Sequence, residues 1–185
     1  MIFASNNKGK IKEIKKIFKD YEILSLKDVN LDIDIEETGN NYYENALIKA
    51  KKIYELTGIP TIADDSGLEI IALNNWPGVN THRICEDEHE KNLLLIEKTK
   101  DLENKDIQAV CTLVYYDGNI IEATGYLNGT ITDKVYEGNG FGFDKIFMLP
   151  TGKTVSMISD DEKNEISARS EAAKILLKKL ESKLR

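Results

Sequence analysis

The chain is poor in the residues that make covalent or metal staples. Among its 185 residues there are two cysteines, Cys85 and Cys111, and two histidines, His82 and His89. Two thiols make no disulfide framework, and both read as buried small hydrophobes. So few His and Cys disfavour a zinc centre. A resident metal would sit on carboxylates, which points to magnesium or manganese. Positive charge is also in deficit, with 25 Lys+Arg against 32 Asp+Glu and a formal charge of −7. A protein that coats nucleic acid shows a basic excess, so no nucleic-acid partner is expected, although a local basic pocket is compatible with this balance. No stretch approaches the ~20 apolar residues that cross a bilayer. Met1 to Ser5 lacks the basic and long apolar regions of a signal peptide. The expected compartment is therefore the cytosol, with no membrane partner, and the Asn128-Gly129-Thr130 sequon reads as chance. What the chain does have is an ordinary globular composition, 41% hydrophobic and 31% charged. Its length suggests one domain spanning 1–185, with two lobes. Such a chain buries roughly 70% of its unfolded surface and needs no staple.

Hydrophobic spacing orders the elements. Residues 1–5 predict a strand, followed by a polar turn and a helix carrying Ile11, Ile14, Ile17 and Phe18. Residues 21–26 predict a second strand. Leu31, Ile33 and Ile35 alternate with acids, which predicts a half-exposed strand. A helix is expected from about Asn41 to Leu56, ended by Gly58. Pro60 to Ala63 predicts a short buried strand broken at Asp64-Asp65-Ser66-Gly67, with Leu68 to Leu73 apolar again and a loop over 74–78. A helix over 86–100 places Leu93, Leu94 and Ile96 inside. Residues 107–116 and 120–127 flank Asp117-Gly118-Asn119 as a hairpin, and 128–135 extend it. A glycine-rich stretch over 137–144 precedes a short strand at 146–149. Ser159 to Glu162 is a capping box opening one helix from about Asp160 to Leu184. The order is mixed α/β, against a purely parallel sheet.

Five stretches can carry chemistry. Ser5-Asn6-Asn7-Lys8-Gly9-Lys10 lies between strand and helix, where a helix N-terminus and the Lys10 charge suit an anion. It is equally an ordinary polar turn, and it is not a P-loop. Asp64 and Asp65 fall at the end of a buried strand, where α/β sheets place ligands. Successive strand residues face opposite sides, and an unpaired buried acid is costly, so a cation is expected beside them. An Asx turn is the bland alternative. Glu36-Glu37-Thr38-Gly39 offers further metal oxygens or a solvated edge. Lys49 on the following helix is a solvated lysine on spacing alone. Gly138 to Asp144 lets backbone approach a ligand, with Phe141 or Phe143 free to stack on a base or to anchor the loop in the core. Lys163 and Arg169 lie about 240° apart round a helix, so they face one ligand only if a bend intervenes.

Taken together and in order, these stretches resemble the inosine triphosphate pyrophosphatase family, the house-cleaning nucleoside triphosphate pyrophosphohydrolases. The segments that carry the resemblance run the length of the chain: Ala4-Ser5-Asn6 with Lys10, Glu36-Glu37-Thr38-Gly39, Glu44-Asn45-Ala46 with Lys49, Ala63-Asp64-Asp65-Ser66-Gly67, Pro77-Gly78, Gly140 to Asp144, and Glu162-Lys163 to Arg169. The resemblance implies an α/β fold in which a long curved mixed sheet and its helices form two lobes around a central cleft, in a homodimer. It implies Mg²⁺-dependent hydrolysis of ITP, dITP and XTP to the monophosphate and pyrophosphate, with Mn²⁺ a substitute. By the same resemblance Ser5, Asn6, Asn7, Lys8, Gly9, Lys10, Lys49 and Ser66 hold the triphosphate. Glu36 or Glu37 and Asp65 sit at the metal, and Asp65, with Asp64 beside it, takes the proton. Arg83 lies near the ligand. Phe141, Gly142, Phe143, Asp144, Lys163, Ala168 and Arg169 form the base end.

Two departures fall at that base end. Ala168 stands where the family carries His, and Phe143 stands where Tyr or Trp is common. Two alternative readings follow, a pyrophosphatase for modified pyrimidine triphosphates and a catalytically weak nucleotide-binding sensor.

Overall fold

Local capping and apolar stripes set the helix limits. The structure, a computed structural model, describes residues 1–183. Helix α1 (Lys8–Ile17) opens on Asn7, whose Oδ1 accepts from the Gly9 and Lys10 amides at 2.9 and 3.1 Å. Helix α2 (Tyr42–Thr57) opens on Asn41 and closes at Gly58, with Ala46, Ala50 and Ile53 on its buried stripe. Helix α3 (Glu88–Thr99) is capped by Asp87. Helix α4 (Asp160–Ile166) opens with the expected capping box, since Ser159 N–H donates to Glu162 and Glu162 N–H donates to Ser159. Helix α5 (Ala168–Lys183) follows after a break at Ser167.

Six strands form a mixed sheet in the order β1-β2-β4-β5-β6, with β3 paired to β2. β1 (Ile2–Phe3) lies parallel to β2 (Thr61–Ile70), whereas β3 (Trp76–Gly78) and β6 (Phe147–Met148) pair antiparallel with β2 and β5. β4 (Asp106–Tyr116) and β5 (Ile120–Ile131) are the expected hairpin around Gly118. The sheet and its helices are the mixed α/β architecture anticipated from the sequence.

The chain divides into two compact units. One comprises residues 1–66, 111–125 and 167–183, and the other residues 67–110 and 126–166. Strands β2, β4 and β5 each contribute residues to both. The first unit has a core of Ile2, Ala4, Leu26, Ala46, Ala50, Ile53, Ala63 and Val114, and α1 packs on α5. In the second, Leu68, Ile70, Leu95, Ile107, Ile146 and Phe147 are buried.

Several expectations need correction. β2 runs unbroken through Asp64 to Gly67, because both carboxylates find partners without the chain turning. Residues 21–26 form no strand, and only Leu24 bridges Ile2. Residues 31–39 keep the alternating burial but join no ladder; Leu31, Ile33 and Ile35 instead pack onto the first unit's core. Within α3 the inward residue is Leu95, and Leu93 is 43% exposed. The single terminal helix is two, and Leu184, assigned to its core face, lies outside the described residues. Cys111 is buried as expected, whereas Cys85 is only half-buried. Among the described residues no helix is long and apolar enough to cross a membrane.

Gly125 shows how tightly α5 seats on the hairpin. A Cβ there would lie 2.2 Å from the Ala168 carbonyl oxygen and 2.4 Å from the Ala172 nitrogen. Backbone atoms cannot swing aside as a flexible side chain does. Gly125→Ala is expected to lower unfolding free energy by about 3 kcal/mol, the upper part of the overpacking range, as measured by urea denaturation.

Candidate active site

The pleat of β2 sends Asp64 and Asp65 to opposite faces, and each meets a different helix. Both residues are 2% exposed. Asp64 Oδ2 accepts from Lys10 Nζ at 2.9 Å and from Arg169 Nη2 at 3.0 Å and Nε at 3.3 Å. Arg169 also donates to Glu13 at 3.0 Å and, through Nη2, to Ser66 Oγ at 3.2 Å. Ser66, two residues beyond Asp64, faces the same side, as strand alternation requires. α1 thus brings Lys10 and Glu13, and α5 brings Arg169, to one face of the strand.

On the other face Asp65 meets α2. Its Oδ2 accepts from Asn45 Nδ2 at 2.9 Å, and its Oδ1 from the Ser66 amide at 2.9 Å. The fully buried Asn45 also accepts from Gly39 N–H at 2.8 Å, so one side chain ties the 36–39 segment to the carboxylate. One turn along α2, Lys49 donates to Glu37. Glu36 faces solvent while Glu37 is half-buried, so of the two acids it is Glu37 that shares a cation with Asp65.

The two faces have opposite electrostatics. Burial pushes both carboxyls up, but around Asp64 the charges of Lys10, Arg169 and Lys49 outweigh it and hold the group well below the usual carboxylate range. For Asp65 burial prevails over Lys49 and Asn45, with Glu37 and Asp64 adding repulsion, and its pKa is raised to about 6. Burial alone would depress Lys49, but the charges of Asp64, Glu37 and Asp65 raise it instead and keep it cationic. Four carboxylates, from Glu13, Glu37, Asp64 and Asp65, face three cations, from Lys10, Lys49 and Arg169. The arrangement keeps one acid permanently ionised and its neighbour poised to exchange a proton near neutrality, a separation typical of acid–base sites.

The remaining expected site residues fall as follows. Ser5 Oγ accepts from Asn7 N–H at 3.1 Å, while Asn6, Asn7 and Lys8 are exposed and Gly9 and Lys10 half-buried. Because Asn7 already satisfies the amides of Gly9 and Lys10, the loop's capacity for an anion shifts from those two backbone donors to the lysine side chains. Arg83 lies in the second unit and donates to Asn80 within its own turn. Phe141, Gly142, Phe143, Asp144 and Lys163 cluster in the second unit: Lys163 Nζ lies 2.6 Å from Asp144 Oδ2 and 4.0 Å from the Phe141 ring centroid. Asp144 also accepts from Phe141 N–H at 2.9 Å. The bend needed to reconcile Lys163 with Arg169 exists at Ser167, but Arg169 belongs to the first unit and its donors go to Asp64, Glu13 and Ser66. Ala168 is buried there beside it. Sequence reasoning assigned no role to Glu13, whose position reads as a helix surface, and only motif context singled out Asn45.

Buried acids and the cations that balance them converge on one strand, an arrangement whose lysines can reach an anion and whose Asp65 can exchange a proton. The comparisons with known proteins agree with that chemistry. The Ham1 family model matches residues 1–179, and the chain belongs to the Ham1 family. A dITP/XTP pyrophosphatase of Staphylococcus aureus (strain MRSA252) is 37% identical over 183 residues, covering 95% of this chain and 93% of that protein. The solved Ham1 protein of Staphylococcus aureus superposes with a TM-score of 0.88 at 35% identity, covering 98% of each chain. A HAM1 protein from Coxiella burnetii does so with a TM-score of 0.88 at 33% identity, covering 98% of each.

The raised Asp65 pKa has a consequence for stability. The folded state holds a proton on Asp65 that the unfolded chain releases near the ordinary carboxylate value of 3.8, so folding is favoured at low pH and weakened as pH rises through about 6. Asp65→Asn removes that titration and keeps one acceptor oxygen, for the Ser66 amide or for Asn45. The variant is expected to gain up to about 3 kcal/mol over the parent at pH 8, shrinking towards zero at pH 4. Denaturation curves of both proteins at the two pH values check this; a pH-independent difference contradicts it.

Proposed function

We propose that this chain is a hydrolase of non-standard purine nucleoside triphosphates, converting ITP, dITP and XTP to the nucleoside monophosphate and pyrophosphate and so clearing them from the nucleotide pool. The observation that carries the reading is the adjacent Asp64–Asp65 pair, one ionised among Lys10 and Arg169, the other raised towards neutrality beside Lys49. The name of the Staphylococcus aureus relative supports the same substrate class.

Lys10 and Lys49 bind phosphate oxygens and offset part of the roughly four negative charges a triphosphate carries. Asp65 accepts the proton of the water that attacks the α-phosphorus as pyrophosphate leaves. Asp64 stays ionised and orients Lys10, while Arg169 holds Asp64 in place and balances its charge. The Ser5–Gly9 loop and Ser66 complete the phosphate end. Phe141, Gly142, Phe143, Asp144 and Lys163 receive the base, with Arg83 nearby.

The donors suit magnesium. Carboxylates already outnumber cations in the cluster, Glu37 and Asp65 present hard oxygens, and Mg²⁺ takes one or two protein carboxylates together with substrate phosphates. Glu37 and Asp65 would hold it. A bound Mg²⁺, or Mn²⁺ in its place, supplies Lewis-acid polarisation of the phosphate. A cytosolic homodimer is part of the same proposal, on the family resemblance.

Pyrophosphate release over a panel of nucleotides tests the reading. ITP and XTP should turn over in preference to ATP and pyrimidine triphosphates. Asp65→Asn should cut turnover by at least ~100-fold while remaining folded, the scale of losing acid–base or electrostatic assistance. Turnover confined to pyrimidine nucleotides, or binding without turnover, overturns the assignment. A second expectation concerns the metal: activity should vanish in EDTA and return with Mg²⁺ or Mn²⁺, whereas restoration by zinc alone contradicts the oxygen-ligand set.

A further inference from the structure

The glycine-rich loop of the second unit is gripped by a helix that none of the motifs includes. Gly142 N–H donates to Glu88 Oε2 at 3.0 Å, and Gly142 C=O accepts from Asn92 Nδ2 at 3.0 Å. Glu88 and Asn92 are four residues apart on α3 and so share one face of the helix. Gly142 has φ +65°, a left-handed conformation that disfavours side chains. Both polar groups of that one residue are therefore fixed from α3, and the aromatic rings either side of it, Phe141 and Phe143, are fixed with them. From the other flank Lys163 ties Asp144 and covers Phe141, and Phe143 packs against Phe147 at 6.2 Å.

Asn92 is costly to place there. It is 3% exposed, and its Oδ1 accepts no hydrogen bond among the described residues. Burying an amide with an unmet acceptor is unfavourable. The bond to Gly142 is what offsets that cost, so the residue's contribution is to the loop rather than to the helix.

We propose that Glu88 and Asn92 are positioning residues for base selection. They hold the Phe141–Gly142–Phe143 segment in the shape that receives a purine and never touch the substrate. This rests on the reading above that the 141–144 loop meets the base. A loop released from α3 must be reordered by the base that fits it, whereas a base that gains little from the ordered loop loses little, so the ordering cost falls mainly on affinity for the favoured nucleotide. The phosphate end, in the other unit, keeps its own residues.

The experiment measures kcat and KM for ITP and ATP, with inhibition by inorganic pyrophosphate as a probe independent of the base. Asn92→Asp puts an acceptor where Gly142 C=O needs a donor. It should raise KM for ITP by roughly tenfold, with kcat changed less than about twofold, and contract the ITP-to-ATP ratio of kcat/KM by a similar factor. Inhibition by pyrophosphate should not change. Glu88 is exposed, so its variants test the idea even if Asn92→Asp misfolds. Glu88→Ala should contract the ratio by about threefold, and Glu88→Gln, whose amide oxygen still accepts, should restore it. An equal fall in kcat for both nucleotides together with weaker pyrophosphate inhibition overturns the proposal, since that is a general structural defect. Phe141→Ala separates the two levels of argument. If it contracts the ratio while Glu88→Ala and Asn92→Asp do not, the role of α3 is wrong and the base loop stands. If none of the three alters the ratio, the base-loop reading itself fails, and the α3 role with it.

Discussion

Everything in the first unit follows from putting two carboxylates next to each other in the middle of a buried strand. Neither can escape to water, and the pleat forbids them a common partner face. Each side of β2 must therefore supply its own counter-charge, and three helices are recruited for it. α1 and α5 carry Lys10 and Arg169 to Asp64; α2 carries Asn45 and Lys49 to Asp65. A buried carboxylate left unpaired costs several kcal/mol, so the helix positions and the ionisation states are one problem with one solution. The unequal outcome, with full compensation for Asp64 and partial compensation for Asp65, is what distinguishes a reactive pair from a structural one.

The lysines answer to the same constraint. In a protein with net charge −7, a polyanion is not drawn in by the overall field. Attraction has to be local, and Lys10 and Lys49 are held at the site by the acids they neutralise. Under the proposed function a ligand's phosphates would compete for cations that already have partners, and an added divalent ion would make up the difference without rearranging the protein. The second unit solves a different task. At its glycine-rich loop Lys163 pairs with Asp144, and backbone bonds and aromatic rings do the rest, a surface that under the proposed reading would meet a flat, weakly charged group.

How much of this was legible in the sequence depends on the range of the interaction. Helix starts at Asn41 and Ser159 are readable because capping acts over three residues, and the 106–131 hairpin because its turn chemistry is local, whereas the Asn7 cap reads only as a polar turn. The strand through Asp64–Gly67 was read as broken, since the adjacent acids look like a turn until Lys10 and Arg169 are known to be beside them. Residues 31–39 show the opposite error: their alternation reports which side chains are buried and says nothing of whether backbone partners exist. For α3 the apolar cluster at 93–96 left the buried position ambiguous by two residues, and only packing selected Leu95. At the site, Asp64, Asp65, Lys10 and Lys49 could be nominated from residue type and motif order. Glu13 could not, because an acid on a charged helix carries no sign of an arginine 156 positions away. Lys163 and Arg169 are grouped by the resemblance, on the condition of a bend between them; the structure has that bend at Ser167, a break that helical spacing alone does not show.

The bond between Asp64 and Arg169 spans 105 positions of the chain. On a ribosome working at 5–20 residues per second, about 5–20 s separate the emergence of the acid from that of its base. During that interval Asp64 and Glu13 have lysine near them but lack the guanidinium that their burial requires. The first half of the first unit therefore cannot close in its final form as it is made. It has to wait, loosely assembled, for α5 to be synthesised and docked. The same arginine that balances the finished site thus ties its completion to α5, and the buried acids of the first unit reach their final balance only when that helix docks.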